Sequence, residues 1–495
     1  MIYTHHRAII DIGSNSVRIN IVGVSEEGHF MLVDQARERT RISSGMGEDK
    51  IIRPEAIERL LDTLHSFRQI MQVYKVKEVR ALATAAIRQA KNQQEVLETV
   101  ERETRLLLEV VSDREEATLG FLGSVNSLNE KDALLVDLGG ASTEFVLMRN
   151  RRLLHLGSIA FGAVTLSEKF LHDKEAAKNF INEKFVEFPW LKEAEGLPII
   201  ALGGSIRTLA KIDQIRSNWP LDSLHGYCVS RENTAKYLDE ISRATGARIR
   251  RIRGVSSSRA DILRIGIVPF EVLFEMLKSP IVRISLQGIR EGVFYRDYLH
   301  RNGREEVLDD VASFSASNLQ KRLGVNVTHA SYIEWLLLEL YENLEEKKDG
   351  RERELLQMAA RLHDIGMGID YFSHHQHGLY LTLNAGLLGF YDEERMFIAL
   401  LIGLHRSRRL GRFSQPYSHW LGKEKMERIE KLGVLLALAE RLDRTESGTV
   451  VSVRVRGDEL QVQLKNSYRR NLLEGSIEEQ RLPFASKYSK NIVLL

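Results

Sequence analysis

The chain has 495 residues, 43% of them hydrophobic, with one cysteine and a formal net charge of +2, so its length predicts about three or four domains while its charge names no partner. The lone Cys228 excludes an internal disulfide and fits a reducing, cytoplasmic setting. No apolar run approaches the ~20 residues of a membrane span, and charged and histidine residues precede the first strand where a signal peptide would be apolar.

The first predicted element is an apolar strand ending in Asp11. A small polar loop follows, Gly13-Ser14-Asn15-Ser16. A dinucleotide or Walker-type loop would lead into a helix. Here the next residues alternate, Val17-Arg18-Ile19-Asn20-Ile21-Val22, and predict a second strand. An acid and a phosphate-sized loop therefore stand at a hairpin tip.

Downstream, Pro54 and Glu55 open a helix, residues 78–84 read as a strand, and a helix runs from about 92 to 107. Another strand ends near Val111. In the helix that follows, Ser112 and Glu115 have the spacing of a capping box. That box would tie the Glu115 carboxylate to the cap N–H and leave Glu116 free.

The first design then returns. Residues 133–147 give an apolar strand, Asp137, the loop Gly139-Gly140-Ala141-Ser142-Thr143, and a strand that carries Glu144. A third landmark is a buried strand entering Gly203-Gly204-Ser205 and a helix, an order that suits an anion at a helix N-terminus. Arginines cluster at Arg248, Arg250, Arg251, Arg253, Arg259 and Arg264, and again at Arg406, Arg408, Arg409 and Arg412. Such runs are either a solvated face or a track for a polyanion.

From about 303 the texture changes. No proline occurs between Pro280 and Pro416, and the periodicity predicts helices over 303–448. Beyond it, alternation at period two around Gly457-Asp458 predicts a hairpin in a small β-containing cap, 449–495.

Two strand–loop–strand units in facing half-domains would put two N–H-lined loops on opposite sides of a cleft. Backbone N–H groups and the hydroxyls of Ser14, Ser16, Ser142 and Thr143 would grip phosphate oxygens. Asp11 and Asp137 would face the cation that phosphates bring, with Glu144 a further ligand.

The motifs DIGSNSVR, TAAIRQA, SDREEA, VDLGGASTE, GGSIRTLA and GIREG resemble, in this order, those of the exopolyphosphatase / guanosine pentaphosphate phosphatase family, over residues 8 to about 300. The resemblance implies an α/β fold of two actin-like, ribonuclease-H-like half-domains (1–126 and 127–302) around a cleft, Mg²⁺, and hydrolysis of a terminal phosphoanhydride. It assigns Glu116 as the base that activates water and Arg88 as the guanidinium near the terminal phosphate, with Arg18 a weaker candidate of the same kind. Gly13, Ser14, Asn15, Ser16, Gly139, Gly140, Ala141, Ser142, Thr143, Gly204 and Ser205 would cradle the chain end.

Three departures from the family pattern stand out: Ala141 in place of a third glycine, Asp113-Arg114 before the glutamates, and a Ser285–Gly292 stretch without Gly-Gly. Alanine at 141 would be awkward if the backbone there needed positive φ.

In the helical region His363-Asp364, with His329 upstream and Asp443 downstream, resembles the HD phosphohydrolase pattern and would hold a second divalent metal. His374, His375, His377 and His405 are further candidates. As an appendix to a long exopolyphosphatase this region is expected to guide substrate rather than run a second reaction.

The resulting expectation is an exopolyphosphatase that binds inorganic polyphosphate, neither nucleic acid nor membrane, and forms a homodimer. Guanosine pentaphosphate 5′-phosphohydrolysis is the alternative. A kinase of the same fold and a non-catalytic polyphosphate or alarmone sensor are the rivals from other classes.

Overall fold

The computed structural model describes residues 3–171, 173–406, 410, 414–465 and 470–495. Of the second arginine cluster, Arg408, Arg409 and Arg412 lie outside the described residues. The chain forms two compact units, residues 1–309 and 310–495.

The first unit holds two sheets built to one plan. Strands β1 (His5–Ile12), β2 (Val17–Val24), β3 (Phe30–Glu38), β4 (Glu78–Ala83) and β5 (Leu108–Val110) form a sheet in the order β3-β2-β1-β4-β5. Strands β6 (Ala133–Leu138), β7 (Thr143–Arg149), β8 (Arg152–Ile159), β9 (Ile199–Gly203), β10 (Cys228–Ser230) and β11 (Ile281–Ile284) form the second, in the order β8-β7-β6-β9-β11-β10. Each begins with an antiparallel meander and then adds a parallel strand beside its first, β4 on β1 and β9 on β6. These are the two half-domains of the actin-like expectation.

The central strands are apolar on both faces because helices cover them. Ile10, Ile12, Ile19 and Ile21 are buried in one core, and Leu134, Val136, Phe145 and Leu147 in the other.

Two helices cross the sequence-drawn boundaries. Helix Asp113–Val125, placed by the boundary at 126 with the first half, buries Ala117, Phe121, Leu122 and Val125 against Leu135, Val146, Ile200 and Leu202 of the second. Helix Ile289–Arg301 returns to the first half, where Phe294 meets Phe30 with ring centroids 4.7 Å apart. The two helices touch at their backbones: a side chain at Gly292 would stand 1.9 Å from the Leu119 carbonyl oxygen. This close approach brings Arg290 and Glu291 to the hairpin strands. The first unit also runs past the expected boundary at 302, to 309.

The second unit is helical, as the proline-free stretch predicts. It includes helices Val327–Leu344, Gly350–Leu362, His374–Asn384, Asp392–Leu404 and Gln415–Leu442. The predicted hairpin is β12 (Val450–Arg456) with β13 (Glu459–Leu464), and β14 (Asn491–Leu494) adds in parallel beside β13. This small sheet belongs to the second compact unit. The Tyr332 hydroxyl of helix Val327–Leu344 donates to the Val450 carbonyl at 2.7 Å.

Candidate active site

The two hairpin tips have the same backbone. The Gly13 N–H donates to the Ser16 carbonyl at 3.2 Å, and the Gly139 N–H to the Ser142 carbonyl at 3.0 Å. Asp11 pairs across the strands with Arg18, and Asp137 with Glu144. The loops abut, since a Cβ on Gly140 would lie 3.3 Å from the Cβ of Ser14. No residue in 139–143 adopts positive φ, so Ala141 costs the second loop nothing.

The tips open on one cleft of the first unit, where the space open to a water's centre is about 140 Å³. Asp11, Gly13, Ser14, Asn15, Ser16, Arg18, Glu116, Asp137, Gly139, Gly140, Ser142, Glu144 and Gly204 all line it.

Its acids, Glu144 buried and Asp11, Glu116 and Asp137 part-buried, are held toward their protonated forms. Burial raises Asp11 and Asp137, opposed first by Arg18 for the former and by Arg207 for the latter. Burial pushes Glu116 up to about 7 against the pull of Arg88. It pushes Glu144 well above the usual range, helped by Glu116 and Asp137. Facing these acids, Arg37, Arg207 and Arg259 are each lowered to about 10, by burial first and then by other arginines. Acids and guanidinium groups, both shifted toward their neutral forms by burial, share one cleft, an arrangement that suits a metal-bound phosphate chain.

Arg88 sits beside Glu116 rather than among the lining residues. Its Nη1 donates to Glu116 Oε2 at 2.8 Å and to the Val111 carbonyl at 2.9 Å, and its Nη2 pairs with Asp113. Asp113, one of the departures from the family pattern, therefore supplies a second anchor for this guanidinium.

The capping expectation is half met. Ser112 Oγ accepts the Glu115 N–H at 3.1 Å, but the Glu115 carboxylate does not return to the cap. It pairs with Arg296 on helix Ile289–Arg301, because the helix-to-helix approach offers a cation. Either way Glu116 is the member of the pair that faces the cleft.

Three cradle residues stand back from the cleft. The Thr143 hydroxyl donates to the Phe161 carbonyl at 2.7 Å in the core. Ser205 and Ala141 are buried and outside the lining. The reason is strand geometry: successive side chains point to opposite faces, so Glu144 reaches the cleft and Thr143 cannot.

Four arginines of the lining were not among the site residues expected from sequence, although Arg259 belongs to the first arginine cluster: Arg37, Arg207, Arg259 and Arg290. The signal for two of them was present. Arg207 stands in GGSIRTLA and Arg290 in GIREG, one just inside and the other at the start of a helix that opens on the cleft. Arg259 lies over Gly204 so closely that a Cβ there would meet its guanidinium at 1.9 Å.

In the helical unit, His329, His363 and Asp364 bring ligand atoms within 4.8 Å of one another, and so do Asp364, His374 and His405. Asp443 falls outside both groups. Its Oδ2 faces His329 Nδ1 at 3.0 Å, and its Oδ1 accepts the Ser447 and Gly448 N–H groups. His329 is raised to about 10: burial opposes the shift, and the bonds to Asp443 and Glu440 outweigh it.

A family model described as Ppx/GppA phosphatase family matches residues 21–301, and one described as Ppx/GppA phosphatase, domain III, matches residues 311–482. The chain is 27% identical over 462 residues to the guanosine-5′-triphosphate,3′-diphosphate pyrophosphatase of Pseudoalteromonas atlantica, covering 88% of this chain and 86% of that one. Among solved structures, an exopolyphosphatase from Cytophaga hutchinsonii is 23% identical with a TM-score of 0.56, covering 61% of this chain and all 100% of that one. An Aquifex aeolicus member of the Ppx/GppA protein family is 28% identical with a TM-score of 0.52, covering 60% and 99%.

Proposed function

The chain belongs to the Ppx/GppA phosphatase family, and we propose that it removes the terminal phosphate of guanosine pentaphosphate. The observation that carries the reading is the cleft itself, with Glu116 among its acids and arginines Arg18, Arg37, Arg207, Arg259 and Arg290 lining the same space. The relative that spans most of the chain bears the name of the guanosine substrate. That tilts the choice away from the polymer expected from the resemblance.

The residues divide the work by chemistry. The Glu116 carboxylate, raised to about 7 by burial, accepts the proton of the attacking water near neutral pH. Arg88 fixes the orientation of that carboxylate through its 2.8 Å hydrogen bond. The loop N–H groups and the lining guanidinium groups bind phosphate oxygens and offset the charge that spreads over them in a loose transition state.

The carboxylates of Asp11, Asp137 and Glu144 are hard oxygen donors that burial holds above their usual range despite the arginines nearby, and so fit Mg²⁺. No three of these acids bring oxygens within 4.8 Å, which suits a cation that keeps several waters and binds through one or two carboxylates plus phosphate. When bound, it would neutralise charge on the leaving phosphate oxygens.

A second reading, inorganic polyphosphate, has its own support. Five of the lining residues are arginine and, among the described residues, none is aromatic, so the cleft offers a phosphate chain many contacts and a base no stacking partner. Phosphate release from guanosine pentaphosphate, long polyphosphate and short polyphosphate, measured in parallel on the full chain, decides between them. The highest kcat/KM on the pentaphosphate supports the first reading and the highest on polyphosphate the second. Binding without release from any of them overturns both and leaves a sensor.

A further inference from the structure

Strand β2 carries two polar residues, Arg18 and Asn20. They are two apart, so both side chains stand on the same face of the sheet. Across the strands Arg18 is level with Asp11 and Arg37, while Asn20 is level with Ile9 and Gln35. Arg18 lines the cleft and Asn20 does not. Asn20 is 3% exposed, one row behind the lining, and a buried amide at that depth needs partners.

Its partners both belong to one helix start. Asn20 Nδ2 donates to Glu291 Oε1 at 2.7 Å, and Asn20 Oδ1 accepts from Arg290 Nη1. A carboxylate only accepts and a guanidinium only donates, so the two partners fix which way the amide faces. The other Glu291 oxygen, Oε2, accepts the Gly288 N–H at 2.8 Å. Gly288, Arg290 and Glu291 all line the cleft. The helix they begin, Ile289–Arg301, is the one by which the chain returns from the second half-domain to the first.

Arg290 needs such a hold. Its charge helps to lower both Arg37 and Arg207, and Arg18 acts on the same two. Like charges therefore crowd around it, and a long side chain answers repulsion by swinging toward water. Its own neighbour Glu291 is the nearest acid that could hold it. Yet Arg290 Nη2 and Glu291 Oε1 stand 3.9 Å apart, beyond hydrogen-bond length, because Asn20 Nδ2 engages that oxygen. The Asn20 amide thus separates an arginine from a glutamate beside it in the chain. Its carbonyl oxygen anchors the guanidinium without adding a counter-charge, where a close carboxylate would cancel the charge an anion is to meet.

We propose that Asn20 is a positioning residue for phosphate binding: with Arg290 on one end of its amide and Glu291 on the other, it keeps the Arg290 guanidinium in the cleft as a phosphate ligand. The proposal rests on reading the cleft as a phosphate site.

The test is a double-mutant cycle on the full chain. The parent is Glu116→Gln, which stops turnover, and the readout is the Kd for inorganic tripolyphosphate by calorimetry in the presence of Mg²⁺. Asn20→Leu keeps the side-chain volume and removes both hydrogen bonds. It should raise Kd ~10-fold, as should Arg290→Ala, each through one charged hydrogen-bond partner of phosphate. The two together should bind no more than about twofold more weakly than Arg290→Ala alone, since Asn20 acts through Arg290. Denaturant melts follow the fold of each variant, and Asn20→Ser replaces Asn20→Leu if the latter does not fold. A role confined to stability would move the melts and leave Kd in place. Tripolyphosphate binding by Asn20→Leu equal to the parent's overturns this proposal alone, and so does a double variant whose loss is the product of the two single losses. A parent that binds no tripolyphosphate overturns the phosphate reading of the cleft and the proposal with it.

Discussion

The hairpin of β1 and β2 and that of β6 and β7 share strand register, loop hydrogen bond and acid, yet differ at the cross-strand partner of that acid. Asp11 faces Arg18 in the first, and Asp137 faces Glu144 in the second. The repeated backbone supplies N–H groups to phosphate from both sides. The partner supplies opposite charge: the first tip has an acid with a cation beside it, while the second sets two acids side by side, where burial raises both and the Asp137 charge adds to the rise of Glu144. On the proposed function, this difference predicts that the second tip contributes more to cation binding and the first more to phosphate binding.

The largest effect should come from Glu116, which is raised in part by the acids of both tips. Glu116→Gln should lower kcat by ~10²–10⁴-fold with substrate affinity retained, because only proton acceptance is removed. In the unaltered chain kcat/KM should fall as pH drops below about 7. Stability runs the other way in the metal-free chain. The folded Glu116 titrates at about 7 against 4.5 unfolded, so the folded state binds the proton more tightly. Its contribution is present below pH 4.5 and lost as pH rises to about 7, a change of ~3 kcal/mol. Denaturant melts across that window should slope downward for the native chain and less so for Glu116→Gln.

Glu144→Gln breaks the comparison on the cation side. It should raise the Mg²⁺ needed for half-maximal rate by ~10–100-fold, measured by Mg²⁺ titration at saturating substrate. Arg18→Ala breaks it on the phosphate side. It should raise KM by ~10-fold with the Mg²⁺ requirement unchanged, as one charged hydrogen-bond partner is lost. If both variants moved the Mg²⁺ requirement equally, the tips would not be specialised. The smallest effect belongs to Glu115→Gln. Removing a half-exposed ion pair with Arg296 should cost at most ~1 kcal/mol in a denaturant melt and leave kcat unchanged.

Much of this was legible in the chain because it is local. A strand ending in Asp, a four-residue polar loop and a second strand are set by neighbours in sequence, and so is Ser112 as a cap. That Glu116 rather than Glu115 faces the cleft was legible too, although the reason inferred, a Glu115 carboxylate returning to its own helix cap, was not the one the fold uses. The domain edges were less legible. Helix Asp113–Val125 follows the first sheet in sequence and packs on the second, and no periodicity announces which sheet an apolar face will meet.

The sequence by itself determined the two hairpins, the acids at their ends, the loop residues and the helical character of the second unit, since hydrogen-bond spacing and side-chain alternation act over a few residues. Only the tertiary structure decided which charges converge. Arg37, Arg207, Arg259 and Arg290 come from four different elements, and His374 and His405 from two helix ends. Charge and lone-pair interactions act through space, so their partners are chosen by how helices and sheets pack, and a glycine such as Gly292, which lets two backbones touch, can decide them from a distance along the chain.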